Sequence, residues 1–197
     1  MYKKYLKRVL DAFFSLVLLV ILSPIILITG VAIKLDDKGP IFFKQKRLGR
    51  KGIPYYMYKF RSMKLNSEKT GVYTNKGDSR VTKVGKFIRA TSIDELPQLL
   101  NILKGDMSFI GPRPALTYHP WEFSEYTFEQ RRMFDIRPGL SGWAQVHGRK
   151  EVPWPERIEM NVWYVNNESF LLDLKIIFLT FFNVLFMKDN YNTKDSK

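Results

Sequence analysis

The chain has 197 residues, enough for one domain with a real hydrophobic core. It contains no cysteine, which excludes a disulfide framework, a thiolate nucleophile and a cysteine-based zinc site. The formal net charge of +13 sits entirely in the front half, where residues 1–93 carry 20 Lys and Arg against 5 Asp and Glu, whereas residues 94–197 carry 12 against 14. Such a basic surface seeks something anionic: nucleic acid, anionic lipid or a phosphorylated substrate.

The first element in chain order is an uncharged run of 22 residues, Ala12–Ile33, bounded by Asp11 and Lys34. As a straight helix it would measure roughly 33 Å, enough for a hydrocarbon core of about 30 Å. A cleaved leader fits less well, because its apolar part is about 7–15 residues and no small-x-small site follows. Ser23-Pro24 lies mid-run, and proline removes a backbone donor and clashes with the preceding turn. Both flanks are basic, with Lys3, Lys4, Lys7 and Arg8 before the run and Lys34, Lys38, Lys44 and Lys46 after it. A re-entrant helix-break-helix keeps both flanks on the cytoplasmic side. A kinked single span satisfies the same pattern of residues, since proline is tolerated in membrane helices. Either way the rest of the chain is expected in the cytoplasm.

Beyond the run, Ile41–Phe43 and Tyr55–Tyr58 read as short strands of a hairpin around the turn-rich Gly49–Pro54. Glu68–Ser79 reads as a mobile polar loop and Val81–Arg89 as a short basic helix. Ser92–Leu103 reads as a helix ended by Gly105. Gly111–Pro114 must be extended, Phe123–Phe134 reads as a charged amphipathic helix, Arg137–Arg149 as a glycine-rich loop and Pro155–Val165 as a helix. The last apolar stretch, Phe170–Met187, has an uncharged part of 12 residues, too short to span a bilayer, and suits an interfacial or core helix. The four tryptophans suit an interfacial belt or the core equally.

Phosphate loops of the G-x-x-x-x-G-K-[ST] type, the G-x-G-x-x-G fingerprint and the G-x-S-x-G elbow are all absent, and the two histidines have no metal-ligand spacing. The candidate chemistry centres on Ser92-Ile93-Asp94-Glu95. As S-x-x-E it is first of all a capping box, with Ser92 as cap and Glu95 reaching back. The same helix end would also stabilise carboxylates as anions and attract phosphate. Asp94 could then attack phosphorus, and Glu95 could hold a Mg²⁺ that offsets phosphate charge. Pro112 and Pro114 stiffen the backbone around Arg113, displaying a guanidinium whose fork matches phosphate. Lys59, Arg61, Arg80, Arg89 and Arg149 supply further cations, each of which alone would be an ordinary solvated side chain. The glycines of 137–149 permit close backbone approach to a ligand.

Together these segments resemble the monotopic phosphoglycosyl transferase family, bacterial sugar transferases that start polysaccharide and glycoconjugate assembly. The similar stretches are GPIFFKQKRLG (39–49), YKFRSM (58–63), DSRVTKVGKFIRATSIDELPQLLNILKGDMSFIGPRP (78–114), RPGLSGWAQVHGR (137–149) and SFLLDLKI (169–176). The resemblance implies transfer of a sugar-1-phosphate from a UDP-sugar to polyprenyl (undecaprenyl) phosphate, with UMP released. It assigns Asp94 as nucleophile of a covalent aspartyl-phosphosugar intermediate, Glu95 as its partner acid associated with Mg²⁺, and Arg113 as a phosphate ligand. It makes Ser23-Pro24 the break of a re-entrant helix and places the protein at the cytoplasmic face of the inner membrane, in a minimal catalytic form.

The expected fold is mainly α with a small β-hairpin and membrane-surface helices. Its parts are the membrane helix (1–36), a catalytic domain (37–187) and a polar tail (188–197). The expected partners are the UDP-sugar, the polyprenyl phosphate, the bilayer and, not excluded, a second copy as homodimer, with no nucleic acid. His147 and Asn161 stand where the family commonly has Asn and Asp. The rival readings are a membrane-anchored nucleic-acid-binding protein, which gives the acid pair no task, and a non-catalytic scaffold, which would tolerate loss of Asp94.

Overall fold

The computed structural model describes residues 2–67, 77–148 and 152–185. The first expectation to be met is the break in the apolar run. A π-helical turn, Tyr2–Leu6, leads into helix α1 (Lys7–Ile21), and α2 (Ser23–Asp36) follows at an angle of 61°. Leu22 forms the corner, and Pro24 lies in the first turn of α2, where a missing N–H costs nothing. The Ser23 hydroxyl donates to the Val20 carbonyl at 2.8 Å, closing the end of α1. Among the described residues no single helix is long and apolar enough to cross a membrane, but this bent pair together has the required length and composition.

The hairpin is present and longer than its apolar cores: β1 (Phe42–Leu48) pairs antiparallel with β2 (Pro54–Phe60), from Phe42 opposite Phe60 to Leu48 opposite Pro54. Most of the polar loop expected at 68–79 lies outside the described residues, as does the tail 188–197. Helix α3 (Lys83–Ala90) begins at Thr82, whose hydroxyl accepts the Gly85 N–H.

The helix expected over Ser92–Leu103 is broken instead. Ser92 adopts a left-handed conformation (φ 58°) and makes no side-chain cap, so the capping box does not form. Ile93–Glu95 is a 3-10 turn, and α4 (Gln98–Lys104) starts only after Pro97. Gly105 ends it as expected, with φ 94°.

Two further expectations change. The glycine-rich segment contains a strand and a helix: β4 (Gly139–Ser141) runs parallel to β3 (Ser108–Ile110), and α6 (Trp143–His147) follows. The helix expected over Phe123–Phe134 is three short pieces, 3-10 at Phe123–Glu125, α5 (Phe128–Arg131) and 3-10 at Arg132–Phe134. Capping boxes at Glu122/Glu125 and Thr127/Gln130 start the chain twice within five residues and so interrupt it. Helices α7 (Trp154–Asn167) and α8 (Phe170–Leu185) follow the expected pattern.

The N-terminal helices belong to the core rather than beside it. Leu18, Leu19 and Leu22 pack on Met57, Leu99, Ile102 and Met107, while Ile26 and Ile33 pack with Phe60 and Ile88. Trp121 packs against the cluster of Tyr126, Met133 and Phe134, and Trp143 stacks on Trp163 at 4.5 Å, so these rings serve packing. A buried polar clamp joins the two ends of the chain. Lys7 Nζ reaches Glu168 Oε1 at 2.9 Å, Asp173 Oδ2 at 2.7 Å and the Tyr164 hydroxyl at 2.7 Å. The Tyr164 and Tyr2 hydroxyls each donate to Asp173 at 2.5 Å. The clamp fixes α1 against α7 and α8.

Candidate active site

The 3-10 turn places Asp94 and Glu95 at one end of a cavity of about 1050 Å³. Its wall is largely apolar, built from α1 (Phe14, Leu18), α8 (Ile177, Phe181) and the hairpin-facing side of α4 (Leu99). Lys59, Arg89 and Arg113 join the acids in lining it. Each arrives from a different element. Lys59 is the penultimate residue of β2, and its ammonium pairs with Glu95 Oε1 at 2.5 Å. Asn101 on α4 fixes that strand, accepting the Tyr58 N–H at 2.9 Å and donating to the Tyr56 carbonyl at 2.8 Å. Arg89 lies in the last turn of α3.

Arg113 depends on close backbone packing. Gly111 N–H donates to the Ser141 carbonyl and Gly139 N–H to the Pro112 carbonyl, each at 2.9 Å. A Cβ on Gly139 would lie 2.1 Å from the Gly111 nitrogen, and one on Gly142 2.0 Å from the Gly111 oxygen. These glycines therefore admit the neighbouring strand rather than a ligand, which corrects their expected use. On the other side the Arg113 N–H donates to Asn161 Oδ1 at 3.2 Å, from a fully buried Asn161 on α7. Arg47 Nη1 holds the Pro114 carbonyl at 3.0 Å, and the Leu48 N–H holds that of Ala115 at 2.9 Å. Asn161, Arg47 and Asn101 are thus positioning residues that motif reading did not place in the site. Their signal is visible only once the long-range contacts are known.

The electrostatics set the acids apart. Enclosure pushes the Asp94 carboxyl up to about 6, with Lys59 pulling it down and the Glu95 charge pushing it up. Enclosure lowers Arg113, and Glu95 partly restores it. Burial and the neighbouring Arg113 charge lower Arg47 to about 10. Asp94 at about 6 is mostly ionised at neutral pH yet more basic than an ordinary aspartate, a combination that suits a nucleophile.

The other expected cations lie elsewhere. Arg80 pairs with Asp78, Nε to Oδ1 at 3.0 Å and Nη2 to Oδ2 at 2.6 Å, and Arg61 is buried against Asp37, to whose carbonyl it also donates. Neither lines the cavity. Arg149 lies outside the described residues. For a divalent cation, no cluster of three His, Asp or Glu occurs among the described residues. One or two carboxylates completed by substrate phosphate oxygens is the usual Mg²⁺ arrangement, and Glu95, lining the cavity beside Asp94, fits that donor set.

The cavity thus brings two adjacent carboxylates and three cations, Lys59, Arg89 and Arg113, together with a largely apolar wall. The chain belongs to the bacterial sugar transferase family, whose model matches residues 2–187. It is 47% identical over 181 residues to the uncharacterized sugar transferase EpsL of Bacillus subtilis (strain 168), covering 91% of this chain and 87% of that protein. It is 42% identical over 192 residues to the UDP-glucose:undecaprenyl-phosphate glucose-1-phosphate transferase of Klebsiella pneumoniae, covering 94% and 41%. It is 44% identical over 186 residues to the UDP-N-acetylgalactosamine-undecaprenyl-phosphate N-acetylgalactosaminephosphotransferase of Aeromonas hydrophila, covering 92% and 44%. The chain thus spans less than half the length of the last two relatives.

Proposed function

We propose that the protein transfers a sugar-1-phosphate from a UDP-sugar to polyprenyl phosphate at the cytoplasmic face of the membrane. The observation that carries this reading is the position of Asp94, which feels the Lys59 and Arg89 charges and lines, with Glu95 and Arg113, a cavity whose wall is otherwise largely apolar. The Klebsiella pneumoniae and Aeromonas hydrophila relatives are both named for an undecaprenyl-phosphate acceptor and differ in sugar, glucose in one and N-acetylgalactosamine in the other.

The Asp94 carboxylate attacks the β-phosphorus of the UDP-sugar. A P–O bond to Asp94 forms, the P–O bond to the bridging oxygen breaks, and its electron pair leaves with UMP. An oxygen of the polyprenyl phosphate then attacks the same phosphorus and restores the free carboxylate. Lys59, Arg89 and Arg113 offset charge on the diphosphate. Glu95 would hold Mg²⁺, which supplies charge neutralisation at the phosphate oxygens.

The membrane reading rests on α1 and α2. Phe13, Leu16, Val20, Leu27, Ile28 and Leu35, spread along both helices, are exposed apolar side chains. Each helix is roughly 21–23 Å long, short of the about 30 Å hydrocarbon core, and the 61° bend suits a re-entrant path.

Asp94→Asn should abolish UMP release and the covalent label left by a radiolabelled UDP-sugar, in an assay run over a panel of UDP-hexoses with polyprenyl phosphate. Retained turnover or retained label in that variant would refute the assignment.

A further inference from the structure

A second, smaller cavity of about 320 Å³ lies at the start of α1. Its lining holds five cations, Lys3, Lys7, Arg8, Arg50 and Arg137, against two carboxylates, Asp11 and Glu168, a net of +3. Both carboxylates are engaged. Glu168 pairs with Lys7, and Asp11 Oδ1 accepts the Phe109 N–H at 3.1 Å.

Among the described residues, the hydrogen bonds of the three arginines go to main-chain carbonyls, while Asp11 attracts Arg8 and Arg137. Arg8 donates to Ile102 O at 2.6 Å and Leu103 O at 2.7 Å, Arg137 Nε to Gly105 O at 2.7 Å, and Arg50 Nε to Asp135 O at 2.9 Å. Among the described residues none of them forms a salt bridge. Carbonyls at the C-terminal end of α4 attract cations but cancel no full charge. Burial lowers Arg137 and the Arg8 and Arg50 charges lower it further, while Asp11 only partly opposes them, so the guanidinium groups repel one another. For Arg50 and Arg137 this leaves the Nη donors of each fork for an anion, and phosphate matches that geometry.

The cavity also sits at a particular height. Asp11, in its lining, is the last charged residue before the uncharged run that begins at Ala12. On the membrane reading above, which this inference requires, that is the level of the lipid phosphates. We infer that the Arg8–Arg50–Arg137 cavity binds the headgroup of a net-anionic phospholipid, at a site separate from the Asp94 cavity. Its ligand would be bound and not consumed.

The test uses the full chain in a neutral detergent. Micelles doped with phosphatidylglycerol, at about 100-fold over its Kd, should raise Tm by roughly 5–10 °C relative to phosphatidylcholine-doped micelles. Arg50→Gln/Arg137→Gln should remove that difference. Lys38→Gln/Lys46→Gln, which removes as much charge from exposed lysines outside the cavity, should keep it. Arg50→Gln alone, at an exposed residue, should weaken the difference even if the double variant folds poorly.

Equal shifts from both lipids, persistence of the difference in the double variant, or its equal loss in the lysine control would overturn the inference. So would an equal shift from inorganic phosphate alone, which would assign the cavity to a free anion. Flotation with phosphatidylcholine liposomes separates the two readings: a protein that fails to float refutes the membrane reading itself.

Discussion

Asp94 is ionised at a cost, and the sign of that cost is testable. Its folded pKa of about 6 lies above the ordinary 3.8, so the folded chain binds this proton more tightly than the unfolded chain does. The ionised carboxylate therefore destabilises the fold, fully above about pH 6 and not at all below the unfolded value. Asp94→Asn should stabilise by on the order of 2 kcal/mol at pH 8 and show no gain near pH 3.5, read by thermal unfolding. Wild-type turnover should fall about tenfold per pH unit below about pH 6, a full two units above where an ordinary aspartate would lose charge. A flat profile down to pH 4.5 would contradict the assigned environment. At this scale the acid pair, Arg113, Arg89 and Lys59 were legible from residue type and motif. Asn161 stood out only as a departure from the family's usual Asp, and its hold on Arg113 was not legible because the two lie 48 residues apart.

Between the residue and the whole molecule, the short elements aim the site. The pairing of β3 with β4 holds Arg113 only because Gly111, Gly139 and Gly142 lack side chains. Gly139→Ala should cost at least about 3 kcal/mol and most of the activity, since its methyl would meet main chain that cannot yield. Gly30→Ala is the contrasting case: its Cβ would touch only the Ile41 side chain at 3.5 Å, so thermal unfolding should show little loss. The long apolar elements and the hairpin were legible because their periodicity and turn residues are strong. Strands of three residues carry no period, so β3 and β4 were not. The 3-10 turn was hidden for a related reason. S-x-x-E is a helix start in most settings, but here the left-handed Ser92 and Pro97 leave only one turn between them.

At the scale of the molecule, Lys7, Glu168 and Asp173 tie the first turn of α1 to α8. The clamp has one cation and two carboxylates, so its members are not equivalent. Lys7→Met strands two buried anions and should cost about 3–5 kcal/mol. Asp173→Asn leaves a Lys7–Glu168 pair intact and should cost less, which thermal unfolding of both variants in one detergent would check. This tie was invisible in the sequence, because residues 7 and 173 stand 166 positions apart.

The placement of α1 has a practical corollary. One helix carries exposed apolar side chains and also walls the cavity, so on the proposed reading catalyst and anchor are not detachable modules. On the proposed reading, whatever amphiphile replaces the bilayer becomes part of the active site's solvent. Detergent tails able to enter between α1 and α8 would compete with the polyprenyl chain for the same wall. Rates measured in micelles would then follow the mole fraction of acceptor in the amphiphile phase rather than its bulk concentration.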